Sequence, residues 1–133
     1  MRYGVHMLVL SVAALVSGSP ALAHHSFAAE YDSEKPIQIT GSVTKVEWTN
    51  PHVHFYVDMK NDRGVVVNWN MELGPPLILR RLGWRQDSLK IGDQVTIEGY
   101  LAKDGSNTAN AKKVTLADGR SVFAGSSADK PAQ

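Results

Sequence analysis

The side chains best suited to chemistry in this sequence are four histidines and a glutamate: His24 and His25 side by side, His52 and His54 two apart, and Glu72. On a β-strand residues two apart share a face, so His52, His54, Tyr56 and Asp58 project to one side and Val53, Phe55, Val57 and Met59 to the other. The apolar set marks the core face and leaves both imidazoles on the polar one. If Asn61 pairs with Val65 across a three-residue turn, Asp58 falls opposite Asn68, Tyr56 opposite Asn70 and His54 opposite Glu72. Two imidazoles and a carboxylate then share one patch, a donor set that suits zinc, copper, nickel or iron. The plain alternative is a solvated polar face on an ordinary hairpin. Met59 and Met71 are possible thioether donors, but their parity assigns them to the core.

His24 and His25 draw their interest from position. They follow Ala21-Leu22-Ala23, which itself follows Arg2, the apolar run from Met7 to Val16 and the small residues Ser17-Gly18-Ser19-Pro20. Charge, apolar run and small-residue site in that order are the pattern of a secretory signal, and the run is about half the roughly 20 residues that span a membrane. The expected arrangement is a cleaved signal at 1–23, a domain at 24–123 and a disordered tail at 124–133. The location follows as periplasmic or secreted, with no membrane anchor after cleavage. Cleavage after Ala23 would leave His24 with a free α-amine of pKa near 8, which a metal can deprotonate and chelate together with the ring. His24, His25, His52, His54 and Glu72 are therefore the candidate ligands, with copper or zinc as the metal. Copper comes first because nitrogen-rich sites favour it.

Charge and composition exclude other classes. The chain has 14 Lys plus Arg and 13 Asp plus Glu, so losing Arg2 leaves 13 of each. A nucleic-acid partner would need a basic stripe, and the only adjacent basic pairs are Arg80-Arg81 and Lys112-Lys113. Cysteine is absent, so no disulfide staples the fold and no thiol serves as nucleophile. No serine sits in a nucleophile elbow and no carboxylate pair shows hydrolase spacing, which points away from an enzyme. A mononuclear copper enzyme built on His24 with His52 or His54 is the catalytic alternative. A metal-free accessory domain that recognises a small molecule, glycan or protein is the other alternative. For it the candidate surfaces are Arg80, Arg81 and Arg85, the aromatic set Trp48, Trp69, Trp84 and Tyr100, and the loop from Lys103 to Asn110.

The elements that must position these groups read as all-β with one short helix. Residues 24–35 form an extended or weakly helical lead-in. The first strand spans Ile37 to Trp48, and a parity change around Gly41 predicts a bulge or bend there. Strands at 52–60 and 65–72 form a hairpin about Asn61-Asp62-Arg63-Gly64. Pro75-Pro76 opens a short helix that Gly83 closes. Strands near 95–101 and 111–116 follow, then a short segment at 121–123. Three strands, a helix and two strands, with a bent first strand, is the order of an OB-like five-stranded β-barrel.

Several stretches extend this reading: Ala23-His24-His25-Ser26-Phe27, Trp48-Thr49-Asn50-Pro51-His52, Gly83-Trp84-Arg85-Gln86-Asp87-Ser88-Leu89, Gly92-Asp93-Gln94-Val95 and Asp104-Gly105-Ser106. Together they resemble an uncharacterised domain-of-unknown-function family of small exported bacterial proteins. The resemblance implies export from a bacterial cell and assigns no activity.

Overall fold

A computed structural model describes residues 27–126. The expected signal peptide, His24 and His25 lie outside the described residues. The elements run β1 (Tyr31–Glu47), β2 (His54–Lys60), β3 (Val66–Glu72), α1 (Pro76–Arg81), β4 (Gln94–Ala102), β5 (Thr108–Leu116) and β6 (Ser121–Phe123). They form one sheet in the order β3-β2-β1-β4-β5-β6. Its ladders are antiparallel except for a parallel pairing of β3 with β5 over Asn70–Thr108, Met71–Ala109 and Glu72–Asn110. That extra pairing links β1 to β5 in a ring, so the mostly-β architecture with one short helix is as the sequence indicated.

The hairpin register is the one that alternation predicts. Asp58 faces Asn68, Tyr56 faces Asn70 and His54 faces Glu72, while Phe55–Met71 and Val57–Trp69 fill the other side. The Asn61 N–H donates to the Val65 carbonyl (2.9 Å), and Gly64 takes the left-handed conformation the turn demands, with φ of 74°. Phe55, Val57 and Met71 are fully buried and join Val43, Leu73, Leu79, Val95, Ile97 and Val114 in the core. Each such side chain contributes about 1.5–3 kcal/mol through removal from water. With no cysteine to cross-link it, this core is the main source of stability.

Several details differ from expectation, among them the start of β2 at His54, which leaves His52 just ahead of the strand. β1 begins at Tyr31, six residues before Ile37, after a helical turn at residues 27–30. The parity change lies at Thr44 and not at Gly41, since the register slips between Val43–Val57 and Lys45–Tyr56. Gly41 has a different duty: a Cβ there would stand 2.2 Å from the Asp58 carbonyl oxygen, so only glycine lets β2 cross β1 at this point. β5 begins at Thr108 because Asn70 and Glu72 of β3 supply backbone partners to a stretch that reads as loop by composition. Of the tail expected at 124–133, Ala124 is buried and accepts from the Gly74 N–H (2.7 Å); residues 127–133 lie outside the described residues.

α1 carries Pro76 in its first turn and packs Pro76 and Leu79 inward. Trp84, just beyond it, is buried and donates its indole N–H to the Phe123 carbonyl (2.9 Å). This bond ties the segment between β3 and β4 to β6.

Gly41→Ala is expected to cost about 3 kcal/mol in urea unfolding, since the clash is with backbone that cannot rotate away. Gly64→Ala, with open space around it, should cost only about 1 kcal/mol through its positive φ.

Candidate functional site

Three of the five candidate ligands lie within the described residues, and the structure sorts them. His52 and His54 both flank the polar side of the hairpin, as strand alternation requires. His54 stands opposite Glu72 along the backbone, yet its Nδ1 donates to Asn70 Oδ1 at 2.9 Å. His52 is the residue that meets the carboxylate, with Nδ1 3.3 Å from Glu72 Oε1. Both contacts run to an earlier position of β3: the residue directly across from His54 is Glu72, and next to His52 the Val53 backbone bonds to Leu73 and Gly74. The twist of a two-stranded ribbon brings such diagonal neighbours within reach, so both imidazoles lean the same way.

Glu72 itself departs from the expected solvated face. It is 8% exposed, because β5 runs along its strand and the start of β1 crosses over it. A carboxylate removed from water needs hydrogen bonds to both oxygens. Tyr31 supplies one, its hydroxyl donating to Oε2 at 2.8 Å, and Asn110 supplies another, its Nδ2 donating to Oε1 at 3.2 Å. Asn110 Oδ1 in turn accepts from the Ser126 hydroxyl. Four separate stretches of chain thus meet around one carboxylate. His52 is the more exposed partner, with its side chain 33% exposed against 11% for Glu72.

Tyr31 is held by more than its hydroxyl. Its ring lies 5.7 Å from that of Phe27, whose own ring meets Tyr100 edge-on at 5.8 Å. Burial chiefly, and then the negative charge and hydrogen bond of Glu72, hold the Tyr31 phenol well above its ordinary value. The Lys103 N–H donates to the Glu30 carbonyl (2.8 Å) and its ammonium donates to the Ala28 carbonyl. The amino-terminal stretch is therefore pinned beside Tyr31.

Tyr31 was not singled out by the residue pattern, and Asn110 entered only as the last residue of the candidate loop from Lys103. Tyr31 sits in a lead-in with no clear period. Asn110 is a polar residue whose burial is visible only once β5 extends back to Thr108. Among the described residues no three His, Cys, Asp or Glu side chains gather tightly enough to hold a metal ion by themselves. The alternative surfaces divide as follows. Trp48 and Trp69 pack against the core, and their indole N–H groups are buried without an acceptor among the described residues. Trp84 is buried, Tyr100 packs on Phe27, and Arg80, Arg81 and Arg85 are exposed. Residues 103–107 form the exposed turn of the candidate loop, and Thr108 to Asn110 belong to β5.

Comparison with known proteins gives one family. Residues 12–111, three quarters of the chain, match the family model described as a family of unknown function, DUF6152. No curated protein matches the chain.

Tyr31→Phe removes a buried hydrogen bond to a charged group and should cost about 2 kcal/mol in chemical unfolding. The same variant isolates a pH effect. With its phenol raised in the folded state, Tyr31 contributes full stability below the unfolded value near 10 and loses it as pH rises beyond that. Above about pH 10 the wild type should therefore lose up to about 1.4 kcal/mol per pH unit more than Tyr31→Phe, read from denaturant midpoints. Parallel pH profiles would show that Tyr31 is not the titrating group.

Proposed function

The chain belongs to the DUF6152 family, and from that premise we propose that it is an exported binding protein holding a transition-metal ion, copper or zinc, at His52 and Glu72. His24 and His25 at the processed amino terminus complete the donor set in this reading. Its scaffold is an OB-like barrel. The reading draws support from the ring order β1-β2-β3-β5-β4 and from the position of α1 between β3 and β4.

The observation that carries the metal reading is the 3.3 Å separation of His52 Nδ1 and Glu72 Oε1. Two donors each about 2.0–2.1 Å from one tetrahedral ion stand roughly 3.3 Å apart, so the pair is spaced as adjacent ligands. The surroundings fit as well. Tyr31 and Asn110 donate to Glu72 as outer hydrogen-bond partners do for ligating carboxylates, fixing its orientation. His25 stands two residues before Phe27, whose ring packs against that of Tyr31. Two residues of chain reach about 7 Å at full extension. A free α-amine, imidazoles and one carboxylate favour copper within the divalent series. His54, with Nδ1 engaged by Asn70, is left outside the inner set.

The reading is tested by titrating the processed, untagged protein with copper(II) and with zinc, followed by calorimetry and native mass spectrometry. His52→Ala and Glu72→Gln should each weaken binding by about tenfold or more, the range found when a ligand or its partner is lost. The paired change His24→Ala with His25→Ala should do the same, and His54→Ala should leave the affinity within about threefold. A protein that binds neither metal, or binds equally well without His52 and Glu72, would return the cluster to a structural role. The metal-free accessory reading would then gain, and its surfaces are the 103–107 turn and the arginines at the end of α1.

A further inference from the structure

The ring that β3 closes is complete on one half of that strand only. Parallel pairing with β5 covers Asn70, Met71 and Glu72, and the Asn70 N–H donates to the Asn107 carbonyl at 2.9 Å. The preceding residues pair with β2 on one side, and among the described residues no strand pairs with their other side.

The register states which backbone groups face outward. Asn61 bonds to Val65 and Leu73 bonds to Val53 through the backbone, so bonded pairs in the hairpin recur at every second position. Val67 and Trp69 belong to that series and spend their N–H and C=O groups on β2. Val66 and Asn68 fall between, and their N–H and C=O groups point away from β2, as that of Asn70 does toward Asn107.

This open stretch of four residues, Val66 to Trp69, carries no lysine, proline or bulge. From Val65 to Met71 the sequence is Val-Val-Val-Asn-Trp-Asn-Met, with no charge, proline or glycine. Val65 and Val66 are each 54% exposed. Soluble proteins blunt such edges with lysine, proline, bulges or short length, because an open β-branched strand recruits another. The edge of β6 is blunted in that way: it is three residues long and begins next to the Arg120–Asp118 ion pair.

We propose that the outer edge of β3 is a homodimer interface, in which two copies pair antiparallel about a two-fold axis at Val67. The edge is self-complementary in that arrangement. Val66 of each copy falls opposite Asn68 of the other, and both residues face outward, so the two pairs exchange four backbone hydrogen bonds. Asn70, already bonded to Asn107, ends the ladder. The uncharged side chains bring no like charges together across the axis.

The test uses the processed full chain in sedimentation equilibrium over a concentration series, with amide exchange read residue by residue by NMR at low and high concentration. The expected result is a reversible dimer in which the Val66 and Asn68 amides gain protection with concentration, while Val67 and Trp69 stay protected throughout. Val66→Pro deletes an outward-facing N–H and spares the β2 ladder, so it should raise the dissociation constant about tenfold or more without unfolding the domain. Should the proline variant not fold, Val66→Lys places a charge on the edge and should have the same effect. A wild type that remains monomeric with freely exchanging Val66 and Asn68 amides would overturn the proposal and leave the edge to a strand from another polypeptide. A dimer that persists in the folded edge variant would overturn it too.

Discussion

A carboxylate taken out of water has to be surrounded by donors, and Glu72 meets that demand at the one place where the ring of strands closes. It lies in the three-residue stretch where β3 pairs with β5. The donors come from the first residue of β1 and from β5, and His52 stands beside them from the loop ahead of β2. Sheet closure and carboxylate satisfaction are therefore one event: strands that failed to pair there would strand a buried charge, and a missing charge would leave Tyr31 and Asn110 without their acceptor. Leaving either side unmatched costs more than the net contribution of the bonds themselves, which makes the arrangement specific as well as stabilising.

The geometry of β1 is what makes this convergence possible. Seventeen residues long, it pairs with β4 over most of its length and with β2 over its last third. It passes from one ladder to the other around Gly41 and Ser42, where absence of a side chain lets β2 approach, and the slip at Thr44 then rotates Val46 back toward the core. A straight strand of that length would carry Tyr31 far from the β2–β3 hairpin. Bent as it is, it lays the phenol over Glu72 and brings the amino-terminal stretch to the same place.

The polar side of the hairpin shows a division of labour among similar residues. Asn68 donates to both Asp58 and Thr44, Tyr56 bonds to Glu47, and His54 bonds to Asn70, so most of this face is engaged in cross-strand pairs. His52 differs in that it lies ahead of β2 and its Nδ1 meets the buried carboxylate of Glu72.

Much of the local structure was legible in the residues. Alternation over 52–60 and 65–72, with a glycine-bearing turn between them, determined the hairpin, its register and the parity of both histidines, since each of these depends on neighbours a few residues away. Proline at the start and glycine after the end likewise determined α1. Family membership was legible from scattered short motifs, because a family resemblance needs no geometry. The bend of β1, the early start of β5, the burial of Glu72 and the choice of His52 over His54 were decided by tertiary structure. The bonds that impose them join residues 41 and 38 positions apart in sequence, as in Tyr31–Glu72 and Asn110–Glu72. No periodicity in a short window registers such contacts; they exist only once the sheet has twisted and closed on itself.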